Sequence, residues 1–273
     1  MLARTWSTVR RLQVTLGYAA TLLTIGTTLL LMGPRVQDHV IRHMSTNLHN
    51  LAHGRLGTLI GSAFVTSSGP MWFWLPGLVC LLALAELFWR SGRVLITFAI
   101  GHVGATLIVA MGLVAAVDFG WLPVSVVRAT DVGISYGAAA VLGALTAAIP
   151  TRWRPAWIGW WAAIGALIVC TSIVGLSPDS GFTDAGHVVA LALGMAVSLR
   201  FGGPARWTKV RVALFVIGVG FGYLVLVNTG LPVVIAPIVG TVGALTARRL
   251  AEGVRAGRVE PVPVSAAPDA VPV

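Results

Sequence analysis

Ser135 and His187 are the two residues of this chain whose surroundings suit nucleophilic chemistry. Ser135 lies in Asp131-Val132-Gly133-Ile134-Ser135-Tyr136-Gly137, ahead of an apolar stretch that contains Gly143. His187 lies in Thr183-Asp184-Ala185-Gly186-His187-Val188-Val189-Ala190, ahead of another. A serine hydroxyl becomes a nucleophile when a base takes its proton, and an imidazole can do this and then protonate the leaving group. Each residue also has a structural explanation: a serine bonded to a helix carbonyl in a glycine-lined contact, and a helix-start histidine satisfied by interfacial water. The chemical reading depends on the elements that carry the pair.

Those elements are membrane helices. Of the 273 residues, 56% are hydrophobic and 10% charged, and the mean hydropathy is +0.87. Apolar runs long enough to cross a hydrocarbon layer of about 30 Å recur along the chain. Short alternating strands are absent, which excludes a barrel, and amphipathic stripes are too few for a soluble domain. The net charge of +10 sits in short clusters between apolar runs, where it sets orientation and not nucleic-acid binding. Cys80 and Cys170 fall inside apolar runs and read as small core residues.

The expected spans are about 12–32, 71–89, 94–117, 132–149, 155–176, 184–201, 210–227 and 231–247. Residues 33–70 form the longest polar interval, with apolar residues at helical spacing that predict amphipathic helices. Residues 204–247 read as a C-terminal hairpin of two spans or a re-entrant pair, and 248–273 as a basic, then disordered tail. Arginines concentrate in 1–11, 90–93, 150–154, 200–211 and 248–273, which puts both termini on the cytoplasmic side of a bacterial cell membrane. Glu86 stands one turn before Arg90, a spacing at which the two can pair. Asp131 is expected to cap the fourth span, and Trp157, Trp160 and Trp161 to form an interfacial belt. Spans four and six then both enter from the outer face, so Ser135 and His187 lie at similar depth.

These residues resemble the motifs of the rhomboid intramembrane proteases. Gly133, Ser135 and the later Gly143 resemble the family's GxSG stretch, and Gly186-His187, Ala190 and Gly194 its AHxxGxxxG stretch. Glu86 with Ser91-Gly92-Arg93 resembles the turn between the family's second and third spans. The resemblance covers about residues 70–203 and is greatest to the divergent rhomboid-like membrane proteins of actinobacteria. It implies an all-α polytopic protein, a six-helix rhomboid-like core plus two C-terminal transmembrane helices. It also implies a serine endopeptidase in which Ser135 is nucleophile and His187 general base, acting on transmembrane or membrane-anchored proteins without a cofactor.

The chain departs from the family pattern at the oxyanion pocket. Tyr136 stands where rhomboids have glycine after the serine, and Ala139 where many have a tyrosine packed on the histidine. The family's HxxxN has no match near residues 70–74. His43-Met44-Ser45-Thr46-Asn47 fits it literally from the preceding loop, which makes His43 and Asn47, with Gly133, Tyr136 and the deeper His102, pocket candidates. The alternative is a catalytically silent rhomboid-like protein that binds transmembrane helices. His39/His43 and His49/His53 have a spacing that can bind zinc on a helix, but with no cysteine nearby and no clear carboxylate beyond Asp38 no metal is expected. Gly218-x-Gly220-x-Gly222 lies inside an apolar run and is not a nucleotide loop.

Overall fold

The computed structural model describes residues 11–66, 69, 71–173, 181–203, 206–227 and 231–256. The expected N-terminal arginines Arg4 and Arg10, the turns at 177–180 and 228–230, and the tail beyond 256 lie outside them. Eleven α-helices are described: α1 (Gln13–Met32), α2 (Pro34–Met44), α3 (Leu48–Ala52), α4 (Thr58–Gly61), α5 (Met71–Trp89), α6 (Ser91–Asp118), α7 (Ser135–Ala144), α8 (Arg154–Ile173), α9 (Gly181–Ser198), α10 (Lys209–Leu226) and α11 (Leu231–Ala256). There are also 3-10 turns at Ser62–Phe64, Val124–Arg128 and Leu145–Ala147, and no strand among the described residues.

Seven of these helices are long and apolar enough to cross a membrane. The expected fourth span is the exception. Its helix begins only at Ser135 and, with its 3-10 turn, ends at Ala147, about 20 Å at 1.5 Å per residue. It can be short because every residue from Tyr136 to Ala147 is buried, so its ends meet protein and not lipid. Ile134, not Asp131, is the residue at its N-cap.

Close helix contacts at glycine hold α7 in the centre. A Cβ on Gly194 of α9 would overlap the Ala140 carbonyl, one on Gly143 the Leu191 carbonyl, and one on Gly101 of α6 the Ala140 side chain. Small residues let membrane helices approach this closely, where van der Waals packing replaces the hydrophobic drive. The C-terminal helices add beside each other, the Tyr223 hydroxyl of α10 donating to the Val233 carbonyl of α11 at 2.6 Å. Gly77 and Gly218 seat α10 on α5, and Gly159 and Gly243 bring the α8 and α11 backbones together. Trp161 is fully buried, Trp160 packs on Gly240, and the Trp157 Nε1 donates to Thr146 Oγ1 at 3.0 Å. The expected interfacial belt is therefore helix packing, made possible by the small residues of α11.

Glu86 does not pair with Arg90. Its carboxylate accepts from the Val14 N–H at 2.9 Å, the Thr15 N–H at 2.9 Å and the Thr15 hydroxyl at 2.7 Å, and also from Ser91 Oγ. The first N–H groups of a helix lack intrahelical acceptors, and a carboxylate there satisfies them and the helix dipole together. Arg90 is exposed and takes φ 72 in the α5–α6 turn, leaving Arg248–Glu252 as the ion pair of the described residues. Glu86→Ala leaves the two buried Thr15 donors unmet, each costing ~1–3 kcal/mol, and frees the part-buried Val14 N–H and Ser91 hydroxyl. The expected loss is about 3 kcal/mol, read as a lower midpoint of thermal unfolding in detergent, while Arg90→Ala changes it little.

Candidate functional site

Ser135 is the first residue of α7 and half-buried. The chain reaches it through Gly133, whose φ of +126 is open to glycine and strained for other residues. The segment before it is gripped by the outer polar interval. The Gly133 N–H donates to the Ser62 carbonyl at 2.9 Å and the Thr46 N–H to the Asp131 carbonyl at 2.9 Å. The Asp131 N–H donates to Ser45 Oγ at 2.9 Å. Ser45, Thr46, Asn50 and Ser62 are all buried, and Asn50 Nδ2 holds the Ser45 carbonyl at 2.8 Å. Sequence reasoning missed these four positions, since nothing local marks a loop serine as the partner of a residue some seventy or more positions away.

His187 lies within α9 and is buried, at 4% exposure. Both of its ring nitrogens are buried without a hydrogen-bond partner, so Ser135 and His187 share no hydrogen bond. Tyr136 occupies the ring face instead. Its ring meets the imidazole edge-on, centroids 5.2 Å apart and planes at 80°. Its outer end sits where a Cβ on Gly186 would be. Successive helix residues diverge by about 100°, so when Tyr136 faces α9 the Ser135 side chain is rotated away from it. Gly137 completes the step by admitting the Phe98 ring of α6.

The remaining pocket candidates separate. His43 is exposed, its Nδ1 on the His39 carbonyl at 3.0 Å, and Asn47 caps α3 by accepting from the Asn50 N–H at 2.9 Å. The Gly133 N–H is already used by Ser62. His102 is buried on α6 and hydrogen-bonds Ser62 Oγ through Nε2 at 3.0 Å, supporting the same serine that holds Gly133. None of the three side chains hydrogen-bonds Ser135 or His187. The N–H groups of Ser135, Tyr136 and Gly137 do lie free at the start of α7, where the first described helical bond runs from the Ala138 N–H to the Ile134 carbonyl. Asp184, buried at 6%, stands one turn before His187 on the same helix, and Ser172 Oγ donates to it at 3.4 Å. No group of three or more metal-ligating side chains occurs among the described residues.

Asp131 lies in the outer segment, and burial pushes its carboxyl up to about 6 against the opposing hydrogen bonds of Thr46 and Tyr136. An acid whose folded value is raised takes up its proton on folding, so stability is greatest below the unfolded value near 4 and falls as pH rises towards 6. Thermal unfolding measured from pH 4 to 7 is expected to show that fall. Asp131→Asn keeps the backbone bonds to Ser45 and Thr46 and is expected to flatten it.

Two comparisons, one with curated proteins and one with solved structures, give no match to the chain. Residues 7–202 match the family described as rhomboid-like protein, which extends beyond the motif-bearing 70–203 to include α1 and the outer interval. That span is well over half of the chain and contains the Ser135 turn, the His187 helix and the Glu86 corner, so the chain belongs to the rhomboid-like protein family.

Proposed function

We propose that this multi-pass membrane protein is an intramembrane serine endopeptidase that cleaves membrane-anchored polypeptides, with Ser135 as nucleophile and His187 as general base. The observation that carries the reading is the state of His187: a buried imidazole with both nitrogens unpartnered, on a helix packed backbone-to-backbone against the one that Ser135 begins. An unmet buried donor or acceptor costs ~1–3 kcal/mol, which a structural histidine would avoid and a base waiting for a hydroxyl must bear. Catalytic hydrogen bonds are often unmade before substrate binds, and a rotation at Ser135 with a shift of Tyr136 is the movement required. In the resulting step the Ser135 Oγ attacks a substrate carbonyl and its proton passes to His187, which then protonates the leaving amine. The free N–H groups at the α7 start supply the donors for the carbonyl oxygen, replacing His43 and Asn47 in that role. The arginine distribution favours a cell membrane with both termini inside.

The second reading, a silent helix-binding relative, is favoured by Tyr136 standing on the His187 face. Proteoliposomes carrying the protein and a library of single-span peptides separate the two. Cleaved products with the native chain and none with Ser135→Ala support the peptidase. Equal retention of uncut helices by both supports the binder.

A further inference from the structure

Arg90 holds a backbone conformation that suits glycine. Its φ of 72 and ψ of 156 lie in a region that is strained for any residue with a side chain, and among the described residues it is the only non-glycine with positive φ. A glycine would make the α5–α6 turn without that strain. What arginine adds at this position is a charged side chain, which is exposed. Residues held in such conformations cluster at ligand sites, where the side chain is needed.

That side chain borders an open groove lined by Phe88, Trp89, Arg90, Gly92, Arg93 and Ile96. Arg93 is placed there by aromatic packing. Its guanidinium lies 5.5 Å from the centre of the Phe201 ring, and Phe201 packs on Trp89 with centroids 4.9 Å apart. Arg211 brings a third guanidinium to 4.8 Å from the Phe88 ring, pinned by bonds to the Arg206 and Leu87 carbonyls. None of the three joins an ion pair among the described residues. The Glu86 carboxylate at the same corner is buried and engaged with α1 and Ser91. The corner therefore carries net positive charge on an aromatic frame, and guanidinium groups bind phosphate through paired N–H donors.

Beyond the groove the same face of α6 is apolar. Ile96 and Ile100 stand three and seven residues after Arg93, on its side of the helix, and are 58% and 39% exposed. From Arg93 to Ile100 the helix rises about 10 Å at 1.5 Å per residue. An anionic head joined to a hydrocarbon chain matches both parts of this surface in order. A soluble phosphate would use only the cationic part, and an apolar transmembrane helix only the other.

We propose that the corner binds one anionic phospholipid from the leaflet on the arginine-rich side, its phosphate between Arg90 and Arg93 and an acyl chain along Ile96 and Ile100. The inference does not depend on Ser135 being a nucleophile.

The test is native mass spectrometry of the full chain released from detergent, with phosphatidylglycerol or phosphatidylcholine titrated in. One phosphatidylglycerol is expected to be held at least tenfold more tightly than phosphatidylcholine. Arg93→Gln is expected to weaken it at least tenfold. So is Arg90→Gly, although its thermal unfolding midpoint is expected to stay level or rise because the turn is relaxed. Arg152→Gln, which removes another exposed arginine of the arginine-rich side, is expected to change the affinity less than twofold. Equal retention of the two lipids, or undiminished affinity in either groove variant shown to be folded, overturns the proposal. So does an equal loss in Arg152→Gln, which would mean diffuse attraction to a basic surface. Displacement of the lipid by inorganic phosphate at equal concentration would also overturn it, in favour of a soluble anion.

Discussion

Gly194→Ala is expected to destabilise the protein by about 3 kcal/mol or more, although a single methyl group is added and alanine is the better helix former. The added Cβ would overlap the carbonyl of Ala140, so the obstacle is backbone on a neighbouring helix and cannot rotate aside. Forcing α7 and α9 apart costs the contact along their whole length, including the Gly143–Leu191 approach one turn away. Overpacking a core costs typically ~1–3 kcal/mol, and more where nothing can yield. For a chain of this size the loss corresponds to a fall of roughly 10 °C in the unfolding midpoint. The same substitution at Gly220, where a Cβ meets nothing within 4 Å, is expected to leave the midpoint unchanged or slightly raised. Equal behaviour of the two variants would show that the α7–α9 contact is looser than described.

His187→Ala is expected to lower reactivity of Ser135 by about a thousandfold or more while the protein stays folded. A serine hydroxyl without a base is a weak nucleophile, and no other described histidine replaces His187, since His102 is engaged with Ser62 and His43 lies exposed on α2. What survives would come from the free N–H groups at the start of α7, as residual catalysis survives loss of a triad member elsewhere. The structural cost is smaller: the edge-on contact with Tyr136, worth about 0.5–1.5 kcal/mol, and a cavity at the buried ring, offset by the removal of two unpartnered nitrogens. A large fall in reactivity with a small fall in stability separates a base from a packing residue, and the reverse pattern would assign His187 to packing.

Much of this arrangement was legible in the sequence because membrane helices announce themselves by length and apolarity. The order of the spans, the glycines that bring α7 and α9 together and the family itself follow from such runs and from short motifs. Three features were not legible, each for a physical reason. The short length of α7 was hidden because a helix sheathed by others is as apolar as one that crosses lipid, and the chain before Ser135 carries no capping side chain. The facing of Tyr136 followed from that error: a helix that begins at Ser135 and not at Val132 leaves open which side chain turns towards α9. Glu86 and Ser62 find partners about seventy residues away, and local spacing suggested only the neighbouring Arg90 for the former.

The central claim is that Ser135 is an activated nucleophile with His187 as its base, and its most direct test is intact-mass and peptide analysis after exposure to a fluorophosphonate. The folded native protein is expected to gain one adduct, located on Ser135 and lost in both Ser135→Ala and His187→Ala. An adduct on another serine, or no adduct on protein shown by its thermal unfolding to be folded, would contradict the account and leave the helix-binding reading in its place.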